Sequence, residues 1–437
     1  MPSATRRDGI RMLAGLGLMG LSGCGVVARA IREETTGLAS PGPTDKDRAK
    51  VAWQYFRSAR NGATGLVETS AGGGFSTTAT IGDQLAAAIC ALRLGAIDRR
   101  EFDAAISPLL VFLHAAPLAR GQLPGRFYAC NSGQLMDPPA TDRDPGWSGV
   151  QLGRLLLWIR TLALSYPQYA HSVAGIVERW QICAAIDGQG QVLQGPPGSA
   201  TLATVRDVAT GYGVYAAQGY RAWGLAAADN LPKIADYSVT VEGVDFPIAG
   251  AGSAIPPLHV VPYALLGMEM GWHGPDGAAL HAQKSMADRL FAAQERRRAR
   301  TRIVTARSDF RRNSAPYALT GTVVGGGTPW ATLAEDGSSQ PALALISTKA
   351  AFAMWAMGAP SAKAAMSATS TLFDSDTGWL EGRYEASAGY EWTRTASTNA
   401  IVLEALLHRE LGRILPADLK RPIGGDVAGP LHCVAPQ

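Results

Sequence analysis

The sequence predicts an all-α fold, an (α/α) toroid of about twelve helices with long irregular loops at one end. Apolar residues recur with the period of an amphipathic helix in one segment after another from residue 45 onward. Long loops that contain Trp, Tyr, Asp and Glu alternate with shorter connections between these segments. An open α-solenoid is the alternative architecture, but the chain lacks a regular repeat of about 34 to 47 residues.

The individual helices are predicted from this periodicity and from residues that start or stop a helix. The first, 45–58, places Ala49, Ala52, Tyr55 and Phe56 near one face. The second, 78–94, stops before a glycine, and the third, 98–113, opens with an aspartate that can cap it. Further helices are predicted at 147–165, 168–185, 211–226, 262–270, 277–296, 341–357, 361–372 and 399–412, with a strand-like run at 237–244.

The first 24 residues have the pattern of an export signal and are not expected to belong to the fold. Arg6 and Arg7 precede a short apolar run, 12–21, which is the order found in a twin-arginine signal. This run is too short for a permanent membrane-spanning helix. Residues 21–24 read Leu-Ser-Gly-Cys, the bacterial lipoprotein cleavage box. Cys24 is therefore the predicted lipidation site, and the protein is expected to be a membrane-anchored lipoprotein that faces the periplasm.

The remaining chain divides into three predicted parts. Residues 25–45 form a tether, 46–415 form one toroid domain, and 416–437 form a C-terminal tail. A content of 47% hydrophobic and 17% charged residues is typical of a globular protein. The formal net charge is only +4, and removal of the signal would lower it further, so nucleic acid is not an expected partner.

The four cysteines that follow Cys24 are widely spaced and contain no C-x-x-C motif. Cys90 and Cys183 lie in apolar helical runs and are predicted to be buried thiols. Cys130 and Cys433 lie in loop-like stretches and are the better candidates for a disulfide. The seven histidines form no H-x-x-x-H or H-E-x-x-H motif, and no phosphate-binding loop or G-x-S-x-G is present. We expect neither a metal site nor a cofactor.

Seven segments, taken in order, resemble a bacterial domain-of-unknown-function family of cell-envelope proteins that is often described as glucoamylase-like. They include GWSGVQLGR (146–154), GWLEGRYE (378–385) and STNAIVLEALLHR (397–409), together with 76–95, 114–128, 211–224 and 347–355. The resemblance runs through about 46–415. It implies an (α/α) toroid similar to glycoside hydrolases that cut glucans, in a setting of exopolysaccharide production. The resemblance implies a polysaccharide as the ligand and a polysaccharide-synthase complex as a partner.

The chain departs from the family pattern at three positions. Gln151 and Gly213 stand where an acid is usual, and Val261 stands where the family has glutamate in Ser-Glu-Pro-Tyr. These departures fit either a divergent specificity or a binder that has lost its chemistry.

Glycoside hydrolysis needs two carboxyl groups on opposite sides of the scissile bond. The predicted catalytic acids are Asp83, Asp207, Glu381 and Glu385. Each also has a structural interpretation, because Asp83 can be a first-turn acid favoured by the helix dipole and Asp207 a helix cap. Glu381 and Glu385 share one side of a helix or of a strand, which indicates a groove or a solvated loop face.

Aromatic side chains stack on the apolar faces of sugar rings, and polar groups nearby bind the hydroxyls. The predicted substrate-binding residues are Trp147, Arg154, Tyr212, Trp330, Lys349, Trp379, Tyr384 and Asn399. Glu404 falls inside an apolar helix and is predicted to pair with Arg154 or Lys349, and Asp309 in a basic loop is predicted to form a salt bridge.

Two functions follow from these residues. The first is an envelope-anchored glycoside hydrolase that acts on an exopolysaccharide or glucan with a carboxylate pair. The second is a non-catalytic polysaccharide-binding or assembly lipoprotein with a degenerate active site. A purely structural lipoprotein that docks to a synthase complex is a third possibility.

Overall fold

The computed structural model describes residues 44–136, 146–193, 195, 211–228, 237–248, 257–325 and 328–423. These residues belong to one compact unit, 43–437. The predicted signal, Cys24, Asp207, Cys433 and most of the predicted tether and tail lie outside the described residues, so the assignments made for them stay predictions.

Eleven α-helices lie in the described ranges, and none of them is long and apolar enough to cross a membrane. Their bounds are α1 Asp45–Ser58, α2 Thr78–Arg93, α3 Arg99–Ala115, α4 Gly149–Ser165, α5 Ala170–Glu178, α6 Tyr212–Ala222, α7 Val260–Met270, α8 His281–Thr301, α9 Thr348–Ala356, α10 Ala362–Thr369 and α11 Ala396–Leu411.

Six of the helices form an inner ring. Helix α2 contacts α4, and contacts then run from α4 to α6, α7, α9 and α11, which returns to α2. Most residues of these six helices are buried, and all those of α7 are. A helix that is buried all round must be surrounded by other elements. The outer helices α1, α3, α5, α8 and α10 supply this cover, each packed against an inner helix next to it in the chain. The arrangement is the predicted (α/α) toroid.

The inner helices α4 and α6 approach each other closely because glycines face each other across their contact. A Cβ added to Gly153 would come within 2.5 Å of the Cα of Ala216, and one added to Gly219 within 2.0 Å of the Gly153 carbonyl oxygen. Neither position has room for a larger residue. The two helices therefore pack backbone to backbone.

Short strands join the helices at their ends, and none has more than four residues in the described part of the chain. They are β1 Phe75–Thr77, β2 Leu118–Ala119, β3 Leu123–Pro124, β4 Phe127–Ala129, β5 Ser238–Val241, β6 Val244–Pro247, β7 Asp309–Arg311, β8 Ala318–Gly321, β9 Thr332–Ala334, β10 Leu345–Ser347, β11 Phe373–Asp374, β12 Gly378–Trp379, β13 Gly382–Tyr384 and β14 Tyr390–Glu391. Strands β7, β8 and β9 form one antiparallel sheet in that order, and β10, β13 and β14 form another. The predicted strand-like run becomes the β5–β6 hairpin.

Strands β1 and β10 lead directly into inner helices. Strand β1 ends at Thr77, whose side chain accepts from the backbone of Thr80 and caps α2. Strand β10 ends at Ser347, which caps α9 in the same way. Ser148 and Thr395 cap α4 and α11. Hydroxyl caps thus fix the first turn of four inner helices.

Two predicted helices are only about half as long as their periodicity indicated. The predicted helix 341–357 begins only at Thr348, because 345–347 pairs with strand β13. The predicted helix 168–185 keeps an α-helical part only at Ala170–Glu178, since Gln181 turns away to donate its N–H to the Gln122 carbonyl. In both cases a distant segment takes the backbone hydrogen bonds that a continued helix would use.

The sequence-based assignment was wrong for Cys183 and Cys130. Cys183 is disulfide-bonded, whereas Cys130 is a free buried thiol. Cys90 is also free and buried, as predicted. Cys183 lies within the predicted helix 168–185, but in the structure it belongs to a short 3₁₀ turn, Ile182–Ala185, that follows the observed α-helix.

One arginine connects most of the inner ring. Arg154 of α4 donates from Nε to Asp83 of α2 at 2.5 Å and from Nη2 to Glu404 of α11 at 2.6 Å. Its Nη1 donates to Tyr215 of α6 at 2.8 Å and to Glu269 of α7 at 3.0 Å. We call these five residues the Arg154 cluster. The predicted pairing of Glu404 with Arg154 is confirmed.

The Arg154 cluster holds one cation and three carboxyl groups, and all of them are nearly closed to solvent. Burial raises the pKa of Asp83 and raises that of Glu404 well above its usual range, and the nearby Arg154 only partly opposes this. The neighbouring carboxyl of Glu269 raises the pKa of Glu404 further. Burial thus favours the protonated form of Glu404, which lowers the charge that the core has to hold.

Replacing Arg154 by methionine should destabilise the protein by about 3–5 kcal/mol, because three buried carboxyl groups lose their shared cation. The measurement is urea unfolding followed by circular dichroism. Arg298→Met is the control, since Arg298 pairs with Glu295 at the surface of α8 and its loss should change little. Equal unfolding midpoints for the two variants would contradict the role given to Arg154.

Replacing Glu404 by glutamine should weaken the dependence of stability on pH. The folded pKa of Glu404 lies above the unfolded value, so its stabilising contribution is complete below about pH 4 and is lost as pH rises through the folded pKa. Between these values the free energy of unfolding should fall less steeply in Glu404→Gln than in the wild type. The control is Glu410→Gln, an exposed acid of the same helix. Unfolding is measured in urea from pH 4.5 to 8, and parallel curves for all three proteins would refute the assignment.

Candidate active site

Three inner helices bring residues at their N-termini to one carboxylate, Asp309, the first residue of strand β7, and a fourth helix reaches it through Lys349. Tyr212, which opens α6, donates from its hydroxyl to Oδ1 at 2.8 Å. Lys349, second in α9, donates from Nζ to Oδ2 at 2.8 Å, and its Nζ lies 3.4 Å from the hydroxyl of Ser397 in α11. His259 precedes α7, with Nε2 3.9 Å from Oδ1. We call these five residues the Asp309 cluster.

Asp309 is the partly exposed acid of this cluster. Its side chain is 35% exposed, whereas those of Lys349 and His259 are 2% and 3% exposed. The N-termini of helices carry partial positive charge, so their convergence favours an anion at this point. The cluster therefore presents a negative oxygen at one end of the toroid, supported by buried polar groups beneath it.

Asp309 is ionised and His259 is neutral at physiological pH. Burial acts to raise the pKa of Asp309, but the Lys349 ammonium, the His259 ring and hydrogen bonds from Lys349 and Tyr212 outweigh it and hold this pKa well below its usual range. Burial lowers the pKa of His259 to about 4. Burial also opposes the charge of Lys349, yet Asp309 and Glu381 raise its pKa overall. Asp309 and Lys349 therefore form a charged pair.

Glu381 lies behind Lys349 and is closed to solvent. Its Oε1 accepts from the hydroxyls of Thr395 and of Thr398, the latter at 2.8 Å, while its Oε2 is buried without a partner. Burial raises the pKa of Glu381, although Lys349 and the two hydroxyls oppose this shift. The pKa values of Asp309 and Glu381 thus move in opposite directions around one lysine, the pattern of an acid–base pair.

Glu385 serves a different purpose from Glu381. Arg297 donates to both of its carboxylate oxygens, at 3.0 and 2.9 Å, and Arg307 donates to Oε2 at 2.9 Å. The side chain of Glu385 is only 5% exposed. This double pairing gives Glu385 a structural role and does not support the catalytic role predicted for it.

Asp83 and Arg154 lie below the surface of the site, in the Arg154 cluster. Asp83 is not a first-turn acid, since it is the sixth residue of α2, and its side chain is 7% exposed. Their buried position therefore does not support direct contact of either residue with a substrate. The predicted catalytic Asp207 lies outside the described residues.

Several aromatic and amide residues predicted to bind sugar are structural. Trp379 is fully buried, with ring centroids 4.9 Å from Phe352 and 5.0 Å from Phe373, so it offers no face to a sugar. Trp147 is also buried. Asn399 accepts from the backbone N–H of Trp379 at 2.8 Å and thereby holds the 378–379 turn.

Two other predicted binding residues are partly exposed. The Cζ atom of Arg297 lies over the ring of Trp330, 4.7 Å from the ring centroid. Tyr384 donates its hydroxyl to Glu391 at 2.6 Å. Their contact with a substrate stays a prediction, whereas Tyr212 and Lys349 lie directly on Asp309.

The residues that depart from the family pattern lie at the same end of the inner ring as Asp309. Gln151 is in the first turn of α4, and its buried Oε1 has no hydrogen-bond partner. Gly213 and Val261 are the second residues of α6 and α7, and both are buried. The first turns that surround the site therefore carry fewer acids than the family pattern implied.

The sequence analysis predicted the salt bridge of Asp309 but did not single it out as the central acid. Its salt bridge with Lys349 confirms that prediction. The only local signal was an acid among arginines in ARSDFRR, which is typical of a surface ion pair. His259 was missed because a lone histidine before a helix has no distinguishing pattern. No group of three or more potential metal ligands occurs among the residues that the structure describes.

The family of the chain follows from its sequence. The profile of the family described as a protein of unknown function, DUF3131, matches residues 47–412. The chain belongs to this family. The DUF3131 match covers the whole inner ring and both clusters. No curated protein matches the chain significantly.

Solved structures show the same toroid as this DUF3131 protein. A candidate glucoamylase from Bacteroides caccae superposes with a TM-score of 0.63 and 13% identity, covering 87% of this chain and 95% of its own. An endo-β-1,2-glucanase from Chitinophaga pinensis, solved with sophorotriose and glucose, superposes with a TM-score of 0.61 and 12% identity, and the match covers 84% of this chain and 92% of that one. An endo-β-1,2-glucanase from Talaromyces funiculosus superposes with a TM-score of 0.55 and 12% identity, and the match covers 90% of this chain and 87% of that one. At these identities the likeness establishes the fold.

Replacing Lys349 by methionine should raise the pKa of Asp309 by about one unit or more, because the cation that holds it down is lost. Carboxyl-labelled aspartate followed by nuclear magnetic resonance gives this pKa, with Asp309→Asn identifying the signal. Lys363→Met is the control, since Lys363 is an exposed lysine of α10. An unchanged Asp309 titration in Lys349→Met would show that another group sets its charge.

Proposed function

We propose that the protein is a glycoside hydrolase that acts on a β-linked glucan and that Asp309 is its ionised catalytic carboxylate. The observation that carries the proposal is the convergence of inner-helix N-termini around one partly exposed acid, Asp309. The fold supports it, because endo-β-1,2-glucanases share this toroid. A β-1,2-linked glucan is therefore the first substrate to test.

The low pKa of Asp309 fits one catalytic role better than another. A strongly acidic carboxylate is a weak general base, because efficient bases have a pKa near the working pH. The same carboxylate is well placed to stabilise the positive charge that develops on the sugar in an oxocarbenium-like transition state, or to attack it. Lys349 and Tyr212 keep the anion fixed, so no rearrangement is needed as charge develops.

The proton donor that we propose is Asp207. It precedes Tyr212 by five residues, so the chain allows at most about 18 Å between their Cα atoms. Burial raises the pKa of Glu381, which makes it the alternative proton donor, but its side chain is closed to solvent. We therefore assign Glu381 to positioning Lys349 and balancing its charge.

A non-catalytic glucan-binding lipoprotein is the second candidate function. The observation that favours it is the loss of acids at the first turns around the site, where Gln151, Gly213 and Val261 stand. In this case the Asp309 cluster would bind sugar hydroxyls without cleaving a bond.

We also propose that the protein acts in the cell envelope, anchored through lipid on Cys24. The paired arginines, the short apolar run and the lipoprotein box support this location. A polysaccharide made at the membrane would then be within reach of the site, and a synthase complex is the partner that this setting favours.

Asp309→Asn should lower kcat on β-1,2-glucan by about a hundredfold or more, since the catalytic anion is lost. The assay measures release of reducing ends by the full chain carrying Cys24→Ser, so that no lipid is attached. Asp288→Asn is the matched control, because Asp288 forms only an exposed pair with Lys284. Asp207→Asn should lose activity as severely, and Glu381→Gln should lose less.

Two results would overturn this assignment. Full activity of Asp309→Asn would remove Asp309 from the chemistry. Binding of β-glucans without any release of reducing ends, across pH 4 to 9, would favour the non-catalytic function.

A further inference from the structure

One tryptophan at the active end of the toroid is left uncovered. Trp392 is 51% exposed, although burial of a tryptophan ring is strongly favourable. It directly follows strand β14 and stands three residues before Thr395, the N-cap of inner helix α11. This position puts Trp392 at the end of the inner ring that carries Asp309.

The segment that carries Trp392 is held rigidly. The Tyr390 ring meets the indole edge to face, with centroids 5.9 Å apart and an interplanar angle of 85°. Glu391 accepts from Arg312 at 3.1 Å and from Tyr384 at 2.6 Å. It also accepts from the hydroxyl of Thr393 at 2.7 Å. Residues on both sides of the tryptophan are therefore fixed, and little conformational freedom remains to be lost on binding.

The same segment is bonded to the hairpin that begins with Asp309. The backbone N–H of Asn313 donates to the Thr393 hydroxyl at 3.1 Å. Asn313 belongs to the turn between β7 and β8, which also carries Tyr317, a second aromatic residue that is 51% exposed. On the other side, the backbone N–H of Glu381 donates to the Thr393 carbonyl at 2.9 Å. Trp392 is thus adjacent to a residue that bonds both to the β7–β8 turn and to Glu381.

We propose that Trp392, supported by Tyr390 and with Tyr317 on the adjoining turn, is an aromatic platform that binds sugar units of a glucan beyond those at Asp309. The C–H faces of pyranose rings are apolar and pack on aromatic rings, while the hydroxyls at their edges stay in water. This inference rests on the proposed function for its ligand class. A polymer bound at Asp309 would also contact the platform, through sugar units that are not themselves cleaved. The platform should therefore increase the affinity for long chains more than for short ones.

The experiment compares Trp392→Ala with wild type on polymeric β-1,2-glucan and on a β-1,2-linked trisaccharide, both in the Cys24→Ser chain. We expect the KM for the polymer to rise about fivefold, with kcat and the trisaccharide KM unchanged. Affinity electrophoresis in polymer-containing gels, with Asp309→Asn present in each protein, gives a binding readout without turnover. Tyr237→Ala is the control, since Tyr237 is 47% exposed before the β5–β6 hairpin.

Unchanged polymer KM and gel mobility in Trp392→Ala, with an active wild type, would overturn the platform and leave the proposed function intact. A wild type that neither cleaves nor binds any glucan would overturn both. An exposed tryptophan can also insert into a bilayer interface. If Trp392→Ala lost binding to phosphatidylglycerol vesicles but kept its affinity for the polymer, the residue would be a membrane contact and the platform would be refuted.

Discussion

The buried guanidinium of Arg154 is the interaction on which the rest of this toroid depends. It bonds to side chains of α2, α6, α7 and α11 from its own helix α4, and so links five of the six inner helices. A buried ion cluster of this kind adds little net stability compared with a well-packed apolar core. Its directional bonds instead constrain how these five helices are aligned relative to one another. The convergence of helix N-termini on Asp309 requires that same alignment.

The Arg154 cluster and the Asp309 cluster also interact electrostatically. The Asp83 carboxylate raises the pKa of Lys349 and of Tyr212, which both bond directly to Asp309. A proton gained or lost in the core therefore changes the field at the site. Because burial favours the protonated forms of Asp83 and Glu404, the core limits how much negative charge acts on the Asp309 cluster.

The sequence was informative wherever local pattern decides structure. Periodicity predicted helix 45–58 at its observed bounds, and a charged residue inside an apolar helix predicted the pairing of Glu404 with Arg154. The sequence did not predict the structure where contacts between distant segments of the chain determine it. Trp379 lies in a loop sequence and is nevertheless buried, because helices α1, α9 and α11 close over it. The importance of Asp309 depends on four helices that are far apart in the chain, so no local motif could reveal it.

The Arg154 cluster has a further consequence for how a polymer can be held. Its side chains fill the axis of the inner ring, and the backbone contact at Gly153 and Gly219 closes the wall between α4 and α6. The ring is therefore blind, and a glucan bound as proposed cannot be threaded through it. Such a chain would instead have to lie across the end of the ring that carries Asp309, with its length outside the helical core.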